Sequence, residues 1–354
     1  MKLGSAVVAP GGELDLAGVA ALAADLAAVR AAGREVVVVT SGAVASGFRA
    51  LGLEKMPRAI VLKQAAAAIG QQRLMRAWGD AFATHGVVVA QVLLTADDLD
   101  SRERQLNARR TLNELLGAGV VPIINENDSV SYAEIKVGDN DRLSALVAGL
   151  LDAEALVILS SVRGVYAGAS GEQVVASFAN AAAAREHVRR ETSGVGTGGM
   201  ATKIDAAEIA ADSGAHVVIA PGREPGVVGR VLAGEAMGTY IPPMGRVRGG
   251  RRRWIGHASR VRGRLVVDAG AAAAIASRGA SLLPGGVVEV EGHFPANAVV
   301  EIFGPFGPIA RGVCGYDADE VRAIKGKRSD QIEPTLGYCL RDEVVHRNDM
   351  VVKG

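Results

Sequence analysis

Cysteine is nearly absent. Cys314 and Cys339 are the only two in 354 residues, too few and too far apart for a disulfide framework or a paired-cysteine zinc site, so both are expected to be buried or idle thiols. There is no long low-complexity tract and no apolar run long enough to span a bilayer, so a membrane protein is not expected. The opening Met1-Lys2-Leu3-Gly4-Ser5 reaches glycine without a continuous apolar stretch, so no secretory signal is read and a cytoplasmic protein is expected. The familiar nucleotide signatures are missing too: no GxxxxGK[ST] loop, and no GxGxxG between a first strand and a helix. Net charge is close to balance at +1. The imbalance is local, because residues 246–264 hold eight arginines and no acid. Such a cluster suits either an anionic partner such as RNA or a solvated linker.

What is present is a folded composition, 49% hydrophobic and 22% charged, in a chain longer than one hydrophobic core usually serves. Val19, Leu22, Leu26 and Val29 recur at helical spacing until Gly33 offers a stop, and Val36-Val37-Val38-Val39 follows as a strand buried on both faces. The unit repeats. Helices over 74–82, 104–116, 143–151 and 204–213 precede strands over 87–94, 120–124, 155–159 and 216–220. This alternation predicts an α/β fold, an open and mainly parallel sheet sandwiched by helices, with ligands outside the carboxyl ends of the strands. His216, inside a strand, is expected in the core. Past Gly234 the pattern changes at Pro242-Pro243 and Gly249-Gly250, and short apolar runs at 287–290, 299–303 and 344–345 predict a small β-rich barrel or sandwich. The domains expected are 1–245, an arginine-rich linker over 246–259, and 260–354.

Small and polar residues gather at the predicted strand ends: Thr40-Ser41-Gly42, Asn125-Glu126-Asn127-Asp128 and Ser160-Ser161. Two segments join glycine to lysine in a way that suits a phosphate. They are Lys2-Leu3-Gly4-Ser5 and Gly194-Val195-Gly196-Thr197-Gly198-Gly199-Met200-Ala201-Thr202-Lys203, the second placed ahead of a helix. Glycine lets backbone N–H groups approach phosphate oxygens, and lysine adds a full charge; a mobile loop and a solvated lysine are the plain alternatives. Gly138-Asp139-Asn140-Asp141 reads either as a turn with an N-cap or as a grip on an ammonium group.

Taken in order, Thr40-Ser41-Gly42-Ala43, Asn125-Glu126-Asn127-Asp128, Glu134-Ile135-Lys136-Val137-Gly138-Asp139-Asn140-Asp141 and Gly196-Thr197-Gly198-Gly199-Met200-Ala201-Thr202-Lys203 resemble the glutamate 5-kinases of the amino acid kinase superfamily. Ala280-Ser281-Leu282-Leu283-Pro284, Ile309-Ala310-Arg311-Gly312 and Val344-Val345-His346-Arg347 resemble a PUA domain. The resemblance covers nearly the whole chain. It implies ATP-dependent phosphorylation of the L-glutamate side-chain carboxylate to glutamyl 5-phosphate, the first step of proline biosynthesis. It implies that Lys2 and Lys203 stabilise the transferring phosphoryl group and that Asp141 orients them. Ser41, Asp128, Asp139 and Asn140 would bind glutamate. Lys2, Gly4, Ser160, Ser161, Gly196, Thr197, Gly198, Gly199, Met200, Ala201, Thr202 and Lys203 would embrace the nucleotide, with Mg²⁺ bound chiefly through ATP and no side-chain metal site. The implied partners are a downstream glutamyl phosphate reductase, proline as feedback inhibitor and further copies in a homo-oligomer, with RNA as a candidate ligand of the PUA-like part.

The chemistry agrees with that inventory. A glutamate carboxylate, with an ordinary pKa of about 4.3, is ionised at neutral pH and needs no general base, so the want of a catalytic histidine is no objection. What the reaction requires is cationic and N–H support as one anion approaches another. Two departures from the family pattern stand out. Only Met1 precedes the Lys-Leu-Gly-Ser motif, where the pattern has an aliphatic strand of about 5–6 residues, so either a natural start further upstream or an impaired chain is expected. Ser160-Ser161 replaces the pattern's Thr-Asp. The rivals are a kinase for another carboxylate or phosphate on the same fold, and an RNA-binding protein with a relic kinase domain.

Overall fold

The computed structural model describes residues 1–130, 139–167, 173–191, 198–244, 255–256 and 259–352. The chain divides into two compact units, Met1–Leu99 with Glu103–Val247, and Asp100–Arg102 with Arg248–Gly354. Along the first part run β1 (Lys2–Leu3), α1 (Ser5–Val8), α2 (Leu16–Ala31), β2 (Val38–Val39), α3 (Ala43–Gly47) and α4 (Ile60–Ala83). Then come β3 (Val89–Leu94), α5 (Ala96–Asp100), α6 (Arg102–Gly117), β4 (Val121–Glu126), α7 (Asp139–Leu150) and β5 (Ala155–Ser160). A small hairpin of β6 (Tyr166–Ala167) and β7 (Gln173–Val174) precedes α8 (Ala181–Glu191), α9 (Gly198–Asp212), β8 (His216–Pro221), α10 (Val227–Leu232) and β9 (Thr239–Ile241).

Seven of these strands form one sheet in the order β3-β4-β2-β1-β5-β8-β9. Every pairing is parallel except that of β9 with β8. Because side chains alternate along a strand, Leu3, Val38, Ile123, Val157 and Leu159 share one face. There they pack with Val19, Leu22 and Leu26 of α2 and with Leu74, Trp78 and Phe82 of α4. Their strand neighbours Val39, Ile124, Ile158 and Ile219 are buried as well, and α7 and α9 contact the sheet strands β4, β5 and β8. Burial on both faces explains why these strands read as continuous apolar runs.

The short first strand is nevertheless central. Lys2 pairs with Val39 on one side and Ile158 on the other, Leu3 pairs with Leu159, and the Gly4 N–H donates to the Leu159 carbonyl at 3.1 Å. Strand character expected over 36–39 is confined to Val38–Val39, where β4 pairs with both residues and β1 with Val39; the Val37 carbonyl accepts from the Met1 amine at 2.7 Å. His216 departs from expectation: it is exposed at the start of β8, and its ring stacks on Tyr240 with Nδ1 2.8 Å from the phenolic oxygen. The first residue of a strand lies at the sheet's rim, so an apolar run behind it does not bury it.

The second unit carries β10 (Gly263–Val267), α11 (Ala269–Arg278), β11 (Val287–Glu291), β12 (Val299–Gly304), β13 (Gly307–Cys314), α12 (Ala318–Ile324), α13 (Ile332–Leu336) and β14 (Val345–Val352). Its five strands are ordered β11-β10-β12-β13-β14, with β10 and β12 parallel and the others antiparallel. Leu265, Val300, Ile302, Val321, Ile332 and Val345 meet in its core. Cys314 is buried and its thiol is pushed up to about 12 by that burial, whereas Cys339 is exposed. Of the linker expected over 246–259, most lies outside the described residues.

Sequence periodicity marks a helix over 74–82, but α4 begins at Ile60. Its first half is read poorly because it is packed through absence of side chain. A Cβ on Gly70 would lie 1.8 Å from the Ala43 carbonyl oxygen, and one on Gly47 would lie 1.9 Å from that of Ala66, so α3 and α4 cross backbone to backbone. Gly70→Ala is therefore expected to cost about 1–3 kcal/mol or more through overpacking. Gly117→Ala, which meets open space at the end of α6, should cost nothing measurable. Thermal unfolding of the two variants beside the parent checks this, and equal midpoints for all three would contradict the crossing.

Candidate active site

The carboxyl ends of β1, β2, β4 and β5 lie side by side, and the chain passes from β1 to β2 on one side while β5 flanks β1 on the other. Such a switch in strand order opens a crevice where open α/β sheets bind ligands. Each end delivers polar groups.

The central constellation joins three elements. Lys2 comes from β1, Asp141 from the first turn of α7 and Lys203 from the second turn of α9. Lys2 Nζ is 2.5 Å from Asp141 Oδ1 and Lys203 Nζ is 3.3 Å from Asp141 Oδ2. The Thr202 hydroxyl donates to the same Oδ2 at 2.9 Å, and Lys203 Nζ also donates to the Gly199 carbonyl at 3.0 Å. Lys2 is 4% exposed and Asp141 1%. One carboxylate between two ammonium groups leaves a positive charge in a site with little water to dissipate it, and an approaching anion would complete the charge balance. Burial holds the Lys2 ammonium below the ordinary lysine range; Asp141 offsets part of that, and the Lys203 charge adds to it.

Both helices start earlier than periodicity suggests, at Asp139 rather than 143 and at Gly198 rather than 204. Asp and Asn are read as turn formers, yet the first turn of a helix, with its free N–H groups, welcomes them. That brings Asn140 and Asp141 onto a rigid element.

Beside the triad lies a neutral polar group. Asn140 Nδ2 donates to Ser41 Oγ at 3.0 Å and to Asn125 Oδ1 at 3.1 Å. Gly42, at φ 106°, takes a left-handed turn that suits glycine and directs the chain from Ser41 into α3. Asn125 Nδ2 in turn donates to Gln71 Oε1 of α4 at 2.8 Å. Among the described residues, Asn140 Oδ1 is buried with no hydrogen-bond partner. Neither Asn125 as a side chain nor Gln71 is singled out by motif reasoning. For Gln71 a signal existed, since it interrupts the buried stripe Ala67, Leu74 and Trp78 of α4 with an amide that requires a partner.

Of the remaining expected site residues, Gly4 follows β1 with the space of its missing Cβ 3.9 Å from Lys2 Nζ. Ser160 is buried at the end of β5 and Ser161 is exposed just beyond it. Asp128 is half-buried in the turn after β4. Gly198, Gly199, Met200 and Ala201 form the opening of α9. Gly196, Thr197 and 131–138 lie outside the described residues, as does the side chain of Asp139. Among the described residues no three carboxylates, histidines or cysteines cluster as a metal cage.

This fold and this cationic cleft find their counterpart among phosphoryl-transfer proteins. The chain belongs to the amino acid kinase family, whose model matches residues 1–221; residues 263–336 match the model of the PUA domain. Its relatives include proteins named glutamate 5-kinase. The one from Myxococcus xanthus is 51% identical over 328 residues, covering 91% of this chain and 87% of the relative. That from Syntrophotalea carbinolica is 46% identical over 359 residues, covering 100% and 96%, and that from Thermus thermophilus is 44% identical over 358 residues, covering 100% and 96%.

Because burial lowers the Lys2 pKa, its cationic form is lost at lower pH than that of an exposed lysine near 10.4. Turnover should fall on the alkaline side before that ordinary range is reached. Lys2→Arg, whose guanidinium stays charged, should shift the fall upward in whatever activity it retains. A pH–kcat profile checks this, and an alkaline limb identical in both proteins would remove Lys2 from that role.

Proposed function

We propose that the chain transfers the γ-phosphoryl group of ATP to the side-chain carboxylate of L-glutamate, giving glutamyl 5-phosphate and ADP, the first step of proline biosynthesis. The observation that carries this is the buried Lys2–Asp141–Lys203 constellation at the carboxyl ends of the central strands. A glutamate carboxylate oxygen forms a bond to the γ-phosphorus while the bond to the β,γ-bridging oxygen breaks, and the electron pair departs with ADP. No proton need move first, since the carboxylate is already ionised. The obstacle is repulsion between anions. Lys2 and Lys203 oppose it as fixed charges, and Asp141 keeps the two ammonium groups from parting.

Ser41, Asn140, Asp128 and Asp139 hold the amino acid. Asn140 Oδ1 is an acceptor awaiting an N–H, and Ser41 Oγ, which accepts from Asn140, keeps its own hydrogen for a carboxylate. Together they suit the two charged groups of an amino acid. The nucleotide falls to Gly4, Ser160, Ser161 and residues 196–203, where the opening of α9 offers N–H groups to phosphate. The donor set fits Mg²⁺ as a companion of the ATP phosphates, because Asp141 is engaged by two lysines. When bound, the ion would neutralise phosphate charge. An acyl phosphate is labile, which supports a reductase that consumes it. Proline as inhibitor, a homo-oligomer, a cytoplasmic location and RNA contact through the second unit complete the reading.

Hydroxylamine trapping of the acyl phosphate tests it. With MgATP and one amino acid at a time, glutamate should yield hydroxamate well above aspartate or acetylglutamate. A better yield from either of those would overturn the substrate assignment.

A further inference from the structure

A line of buried amides leads away from the substrate end of the site into α4, and its hydrogen-bond polarity has one solution. The Glu126 backbone N–H, which can only donate, lies 2.9 Å from Asn125 Oδ1. That fixes the Asn125 carboxamide with its oxygen toward Glu126 and its nitrogen toward Gln71. Asn125 Nδ2 must then meet an acceptor, so Gln71 presents Oε1 at 2.8 Å and turns Nε2 toward Gln91 Oε1 of β3 at 3.2 Å. On the other side, Asn125 Oδ1 also takes Asn140 Nδ2 at 3.1 Å, so Asn140 shows nitrogen to Asn125 and Ser41 and leaves Oδ1 as the free acceptor. Asn125 and Gln71 are 1% and 8% exposed, where a reversed amide would oppose two donors or two acceptors without water to relieve them.

We infer that Gln71 is a positioning residue for the amino-acid substrate: through Asn125 it locks the Asn140 carboxamide in the orientation that offers Oδ1 to the substrate ammonium. The inference rests on the glutamate reading above. It also gives the glycine crossing of α3 and α4 a purpose, because Gly70 adjoins Gln71 and its close approach to Ala43 brings α4 against the segment that follows Ser41.

Gln71→Met removes both hydrogen bonds at similar volume. Gln71→Glu in its protonated form keeps both, accepting from Asn125 and donating to Gln91, and burial favours that form. In steady-state kinetics Gln71→Met is expected to raise the half-saturating glutamate concentration roughly tenfold, with kcat and the half-saturating ATP concentration within about twofold. Gln71→Glu should recover most of that loss. In an Asn140→Ala background Gln71→Met should add less than about twofold, since its route to substrate is gone. Circular dichroism and a melting curve on each variant establish that it is folded. The inference fails if Gln71→Met leaves glutamate saturation unchanged, if Gln71→Glu is equally impaired, or if the Gln71 and Asn140 effects multiply. Should the parent enzyme prefer another amino acid, the glutamate reading falls, and the same variants scored on that acceptor decide the relay separately.

Discussion

A single carboxylate between two ammonium groups organises this site. Without Asp141, Lys2 and Lys203 would be unscreened like charges in a crevice with little water, and the buried Lys2 would be driven further towards losing its proton. With it, both stay within reach of one point. These three groups among themselves leave one positive charge unbalanced, which favours an anion beside them. A transferring phosphoryl group satisfies that preference, and most fully as charge spreads over its oxygens.

The fold can be understood as the means of bringing those three side chains together across long sequence separations. Residue 2 is aimed by its strand, locked between Val39 and Ile158. Residues 141 and 203 are aimed by helices that start at the crevice and run back over the sheet. Rigid elements hold charges more accurately than loops do. The same logic extends to the amino-acid end, where Asn140, one residue before Asp141 on α7, belongs to the amide line running to α4. Charge placement and substrate polarity thus share one helical turn.

Much of this was legible in the sequence. Short apolar runs mark β4, β5 and β8, and the glycine, lysine and aspartate motifs mark the residues that gather at the strand ends. The Lys2–Asp141 contact was not legible from periodicity, because it joins elements 139 positions apart and is carried by pairing registers that only the sheet order sets. Periodicity alone starts α7 and α9 at 143 and 204 rather than at Asp139 and Gly198, because Asp, Asn and Gly read as breakers although a first turn accommodates them. The small edge strand β9 and the amino half of α4 escaped for the opposite reason: neither has an apolar stripe strong enough to declare its period. Gln71 is legible only as an interruption of the stripe Ala67, Leu74 and Trp78, a weak signal because a polar residue in an Ala-rich helix also reads as surface.

Whether Asp141 sustains the charge of a buried Lys2 is open to one direct measurement. Titration of the Lys2 side-chain amine by heteronuclear NMR, assigned with Lys2→Arg, compares the parent protein with Asp141→Asn. The Lys2 pKa is expected below the ordinary lysine range in the parent, because burial outweighs the carboxylate, and lower still in Asp141→Asn, where the opposing attraction is gone. A Lys2 that titrates like an exposed lysine, or whose pKa is indifferent to the loss of the Asp141 charge, would contradict it.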